Sequence, residues 1–403
     1  MTLWAALAVP FLVAIVVGLL YHRKILLREY LIMLAAPAII IAITAVTTEY
    51  SQVKDTEFWG GVVNQARYWE DWDEEVPCRH PIYCTDHKTC TDSQGHSYDC
   101  STEYVCGHHH AYDVDYHPPS WDMNDSNGFE WNISKTKFEE LSKRFGNNTF
   151  KELGRRYHAN DGDLWFSDWW GERVTAEITS SSFSYENRVQ ASRSIFNFPK
   201  VDPTKNKLFE YPPINGWIQK CVLGDVGPGK AAGEEAIHWL NGSLGAHCEF
   251  RTFVLVFKNK PIEVGLEQQA YWKNGNMNEL VIPIGVDNEY KPVWCFPFGW
   301  TKQETIKVEA RNLVMEQPQL DVAKLGDWLF DRIYPPPASL TERVGARRII
   351  MRRQFENDFK YISVYPPTWV VVMTFIITIL VSIGVAWWAV TNEFEHDVKP
   401  RRW

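Results

Sequence analysis

Residues 369–390 read WVVVMTFIITILVSIGVAWWAV, with no charged side chain anywhere in the run. A bilayer's hydrocarbon core is about 30 Å thick, and about 20 apolar residues cross it at the helical rise. Two other uncharged blocks meet the same requirement: LWAALAVPFLVAIVVGLLY at 3–21 and LIMLAAPAIIIAITAVT at 31–47. A core helix of a soluble domain carries polar residues at helical spacing, and these blocks lack that pattern. The slightly negative mean hydropathy excludes a polytopic transporter, because the apolar residues are confined to these three blocks.

The first block is also open to a signal-peptide reading. It has no basic leading region and no A-x-A site at its end, just ahead of the basic stretch, so 1–47 reads as a retained transmembrane hairpin. The connection between its helices, YHRKILLREY, carries Arg23, Lys24 and Arg28 against Glu29, and the tail 391–403 ends KPRRW. Short loops rich in Lys and Arg stay cytoplasmic, whereas long domains are translocated largely regardless of charge. The N-terminus is therefore expected outside, residues 48–368 extracytoplasmic and the C-terminus cytoplasmic. Arg343, Arg347, Arg348, Arg352 and Arg353 dissent, since a polybasic stretch beside a span usually faces anionic cytoplasmic lipid. Interleaved with apolar residues as RRIIMRRQF, they are expected to form an amphipathic helix at the headgroups within 334–368, after a proline linker.

Five of the 8 cysteines fall between Cys78 and Cys106, a density suited to an oxidising compartment. Cys78, Cys84, Cys90, Cys100 and Cys106 are accompanied by His80, His87, His96, His108, His109, His110 and His117. Thiolate and imidazole together suit a tetrahedral zinc site, but no C-x₂-C knuckle is present. Disulfides stapling a β module at 48–130, a metal site, or both remain open, and the odd cysteine pairs elsewhere or stays free. If 108–110 is a strand, His108 and His110 share one face and both can ligate. Cys221 and Cys248, on either side of a helix begun by Pro228, form a further disulfide candidate; the alternative is two buried thiols.

Beyond a connector at 131–210, the segment from 211 to 333 alternates helices and apolar strands: KAAGEEAIHWLNGSL, RTFVLVF, PIEVGLEQQAYWK, ELVIPIGV, KPVWCFPF, TIKVEARNLVMEQ and LDVAKLGDWLFDRI. That order predicts a sheet covered by helices on both faces. SKTKFEELSKRFG has Ser134 as N-cap, Gly146 beyond its end and Phe138, Leu141 and Phe145 on one face, which predicts a short helix. Thr149 with Glu152 resembles a capping box for another turn.

The stretch NELVIPIGVDNEYKPVWCFPFGW resembles the centre of TPM domains, where a strand ends near an Asp and turns into a second strand and a Gly-containing loop. The resemblance implies a membrane-tethered α/β sandwich and, in some members, phosphatase activity; the family's glycine-rich loop is reduced here to Gly299-Trp300. The flanking texture (DTEFWGG, ARYWEDW, YHPPSW) is similar to that of uncharacterised membrane proteins of tailed bacteriophages. The expected class is thus an α+β membrane protein: three transmembrane helices, a Cys/His-rich β module and a TPM-like α/β sandwich domain.

Other motifs weigh less. Asn160-Asp161-Gly162-Asp163 lacks the Glu that closes an EF-hand loop and reads as a turn. Gly224 to Lys230 misses the phosphate-loop spacing. With a net charge of −9, nucleic acid is not an expected partner. The expected function is a membrane-anchored extracytoplasmic interaction or scaffold protein, binding a protein partner or a second copy of itself beside the lipid bilayer. A membrane-tethered metal-dependent phosphatase or hydrolase and an envelope zinc-binding protein are the alternatives.

Overall fold

A computed structural model of the chain describes residues 3–21, 27–152, 163–192, 198–213, 220–337 and 347–391. A 3₁₀ turn at Leu3–Leu7 opens helix α1 (Ala8–Tyr21), and α2 follows at Leu27–Val53. The second helix outruns the apolar block that identified it, because its polar last turns stand clear of the apolar zone and join the folded domain. There Glu49 meets Arg188 at 3.0 Å.

Strand β1 (Lys54–Trp69) leaves α2 directly and is long enough to serve two sets of neighbours. From it rises a ribbon: β2 (Trp72–Pro77), β3 (Pro81–Asp86), β4 (Thr89–Thr91), β5 (Ser97–Asp99), β6 (Thr102–His108) and β7 (Tyr112–His117). The ribbon strands pair as nested antiparallel couples, β2 with β7, β3 with β6 and β4 with β5. The chain then returns as β8 (Ser120–Asp125) and β9 (Glu130–Asn132), makes α3 (Lys135–Phe145), and adds β10 (Thr149–Lys151), β11 (Leu164–Asp168) and β12 (Ile178–Glu186). Residues 54–62 of β1 pair with β12, and the remainder of β1 lies between β8 and β11. One six-stranded sheet thus draws on both 48–130 and 131–210.

Helix α3 forms as its sequence dictates. The Ser134 hydroxyl accepts from the Lys137 N–H, Gly146 closes the helix at φ 72°, and Phe138, Leu141 and Phe145 are buried on one face against Val63, Ala66 and Met123. Thr149 and the two residues after it form β10, not the turn of helix that a capping box suggested. They pair with Leu164–Phe166, and the sheet edge satisfies their backbone instead.

Single helical turns α4 (Arg188–Ala191) and α5 (Pro203–Asn206) lead to the second unit. This comprises β13 (Val222–Gly224), α6 (Lys230–Leu244), β14 (Arg251–Lys258), α7 (Glu263–Tyr271), β15 (Glu279–Val286), β16 (Pro292–Cys295), α8 (Glu304–Met315) and α9 (Val322–Ile333). Its sheet runs β13-β14-β15-β16, parallel up to β15 and antiparallel at β16. Every residue of 251–257 and 279–286 is buried, so both faces are covered.

The two units touch at bare backbone. A Cβ on Gly60 of β1 would lie 2.2 Å from the Asn241 carbonyl oxygen of α6, so only glycine permits this approach.

Over its described residues, the arginine-rich approach to the last span is not the amphipathic helix expected of it. Residues 348–354 run without helix, and the backbone N–H groups of Ile349, Met351 and Arg353 donate to Ile333, Cys248 and Met277. Met351 is fully buried, Arg352 pairs with Glu57 at 3.0 Å and Arg353 with Asp358 at 3.0 Å. Ties to the end of α9 and to two separate loops, with a buried apolar anchor, outweigh the helical period of RRIIMRRQF. Arg347 donates to the Pro336 carbonyl and Arg348 is exposed, while Arg343 lies outside the described residues.

A turn, α10 (Phe355–Asp358), precedes α11 (Thr368–Thr391). Among the described residues, three helical segments are long and apolar enough to cross a membrane: Leu3–Tyr21, Leu27–Val53 and Thr368–Thr391. The face that α11 turns inward carries Thr374, Thr378, Ser382, Ala386 and Ala389, small side chains that allow close helix contact in lipid. Leu380, Ile383 and Trp387 point outward.

Candidate metal centre on the ribbon

The ribbon has almost no interior. Between residues 72 and 117 the one buried residue is Cys78. Covalent bonds substitute for packing farther out: Cys84 is joined to Cys106 across β3 and β6, and Cys90 to Cys100 across β4 and β5. Four of the five clustered cysteines are therefore disulfide-bonded, and Cys78 is the free one.

Cys78 sits where the ribbon passes from its β2–β7 part to its β3–β6 part. Segment 78–80 joins β2 to β3, segment 109–111 joins β6 to β7, and the His109 N–H donates to the His80 carbonyl across the joint. This crossing brings together Cys78, His80, His110 and Asp113, whose ligand atoms all lie within 4.8 Å of one another. Cys78 Sγ is 3.7 Å from His110 Nε2, His110 Nε2 is 3.3 Å from an Asp113 oxygen, and His80 Nδ1 is 3.5 Å from the same oxygen. A tetrahedron with arms of 2.0–2.3 Å has edges of about 3.3–3.8 Å, so these separations match a four-coordinate zinc site.

The surroundings orient the group. His110 Nδ1 lies 2.7 Å from the Tyr112 carbonyl, which fixes the N–H there and leaves the Nε2 lone pair facing Cys78 and Asp113. The Arg79 backbone N–H donates to Asp113 Oδ2 at 2.6 Å, leaving Oδ1 to face both imidazoles. That N–H, helped by His110 and His80, holds the Asp113 carboxyl below the usual carboxylate range. The His80 N–H approaches Cys78 Sγ at 3.3 Å. One thiolate, two imidazoles and a carboxylate form a donor set suited to Zn²⁺.

The sequence expectations meet this geometry unevenly. Cys78 and His110 belong to the centre; Cys84, Cys90, Cys100 and Cys106 are taken by disulfides. His108 ends β6 opposite Pro81 and is not a member, because two residues of the joint turn His110 away from the strand's alternation. His80 and Asp113 are the candidate ligands that spacing alone did not single out. Their signal was the pair C-x-H at 78–80 and H-x₂-D at 110–113, visible once the other four cysteines pair off.

Cys221 and Cys248 are not joined; both are buried thiols in the core of the second unit, as is Cys295. Burial pushes the Cys248 thiol up to about 11 and the Cys295 thiol up to about 12, so neither is a nucleophile at neutral pH. Asp225, in the glycine-rich stretch before α6, accepts from the Tyr290 hydroxyl at 2.7 Å and is spent on the loop itself. Asn160, Asp161 and Gly162 lie outside the described residues. Trp121, Trp131, Trp165 and Trp169 pack against the core under α3.

Comparison with protein-family models, curated proteins and solved structures gives no match for this chain.

Proposed function

We propose that this protein is a membrane-anchored extracytoplasmic binding protein whose projecting ribbon is locked at its base by one zinc ion. The observation that carries the reading is Cys78: a buried thiol in a ribbon that buries nothing else, grouped with His80, His110 and Asp113 so that all four ligand atoms lie within 4.8 Å of one another. A bound ion would give the joint the rigidity that the disulfides give the tip. Rigidity matters because the ribbon displays Tyr83, Tyr98, Tyr104, Tyr112 and Tyr116, each more than 45% exposed. Tyrosines on a stiff frame supply contact area at low entropic cost, which supports recognition of a protein partner or of a second copy of the chain.

The orientation proposed is N-terminus outside, 48–368 outside and C-terminus inside. Arg23, Lys24 and Arg28 between the first two spans, the basic tail and the two disulfides support it. The parallel strands with intervening helices, and the turn at Asp287 into β16, support TPM-like as the finer reading of the second unit.

Thiol labelling of the full-length protein in detergent tests the centre. Cys78 should resist maleimide until a strong zinc chelator is added, and label rapidly afterwards. Equal labelling with and without chelator would refute the proposal.

A further inference from the structure

A second site lies in the cleft between the two units, far along the fold from the ribbon. A cavity of about 320 Å³ opens between β1 and β12 on one side and α6 on the other. That size lies at the small end of the range for small-molecule sites. Ile178, Val174 and Trp239 give it apolar wall, and Arg144, Arg173 and Arg251 line it as well.

The three arginines differ in their partners. Arg144 is bonded to Glu177, which also receives Lys137 at 2.8 Å. Arg173 meets Glu235 at 3.2 Å and Asp327 at 2.7 Å. Both carboxylates that line the cavity therefore have a cation of their own. Arg251 is 3% exposed, yet neither Nη1 nor Nη2 has a hydrogen-bond partner. Its in-register neighbour on β15 is Glu279, whose carboxyl is already bonded by the Tyr211 hydroxyl and by the Asn276 N–H at 2.8 Å. Burial pushes the Glu279 carboxyl upward, against the pull of Arg251. The rings of Phe253 and Phe58, 4.8 and 5.5 Å from Arg251 Cζ, confine the side chain without supplying an acceptor oxygen.

Two nitrogen donors without an acceptor on a buried cation are costly unless something accepts from them. A carboxylate or phosphate group matches that fork bidentately. We propose that this cleft binds a small molecule bearing an oxyanion, a carboxylate or a phosphate, gripped by Arg251, with its body against Trp239 and Ile178.

The test uses full-length protein in detergent, with inorganic phosphate and benzoate as separate probes followed by thermal unfolding and calorimetry. At least one probe should raise the unfolding temperature saturably, and binding should weaken at least about tenfold in Arg251→Met. Response to phosphate alone assigns the phosphate class, and response to benzoate alone the carboxylate class. Because Arg251 is buried, a second variant guards against misfolding: Val174, 78% exposed at the rim, becomes tryptophan and should block the cavity without disturbing the core. Binding unchanged in Val174→Trp and in folded Arg251→Met, or no response to either probe, would overturn the proposal.

Discussion

Replacing Arg352 with methionine asks whether the arginine-rich approach to the last span serves the fold or the lipid. Arg352 Nε lies 3.0 and 3.1 Å from the two oxygens of Glu57, and the side chains are 16% and 2% exposed. At that distance and an effective dielectric near 20, the gross attraction is about 5 kcal/mol, much of it offset by desolvation. Removing one partner strands the other, and a buried carboxylate left alone costs about 3–5 kcal/mol. At about 2–4 °C per kcal/mol for a domain of this size, Arg352→Met should unfold roughly 6–20 °C earlier in detergent.

The pH dependence has a definite sign. Burial raises the Glu57 pKa, with Arg352 the main opposing influence. A carboxyl whose folded pKa is raised binds its proton more tightly in the native state, so its contribution is present at low pH and lost as pH rises through the folded value. Without Arg352 the rise is larger, and the deficit should be greater at pH 8 than at pH 5. The double variant Glu57→Gln with Arg352→Met should recover most of the loss. A single variant within about 1 kcal/mol of the parent, with no pH dependence, would show that the pair does not hold the units together.

Three further outcomes follow from the same geometry. Reducing both disulfides, each worth about 3 kcal/mol by loop closure, should abolish hydrogen-exchange protection within 81–108 and leave the two sheets protected; unfolding of the whole chain would contradict the ribbon's independence. At pH 8 Cys248 and Cys295 should be thiolate at roughly one part in 10³ and one part in 10⁴, and react with a disulfide reagent only after denaturation; prompt native labelling would refute their burial. A cysteine at Ser93, exposed at the ribbon's tip, should label from outside intact cells, and labelling only after the membrane is breached would reverse the proposed orientation.

The elements carried by strong local patterns were legible before any coordinates. Uninterrupted apolar runs marked the three candidate spans, and Ser134 and Gly146 marked both ends of α3. The apolar runs at 251–257 and 279–286 marked the buried strands of the second sheet. What was illegible depended on contacts distant in sequence. The non-helical path of 348–354 is set by Ile333, Cys248 and Met277, none of which a helical period can register. The partner of β1, β12, lies more than a hundred residues on, so the module boundary drawn at 130 cuts through a sheet. At the candidate centre the residue types were visible and the membership was not. Which cysteine stays free is decided by ribbon register, and that register also brings Asp113 of β7 to His80, which directly precedes β3.

Metal analysis of the full-length protein, purified in detergent without chelators and with its disulfides intact, bears on the central claim most directly. The parent should carry one zinc per chain, Cys78→Ser less than about a tenth of that, and His110→Ala should show a marked loss. A parent free of zinc that fails to take it up on titration, or a Cys78→Ser variant that retains the full equivalent, would contradict it.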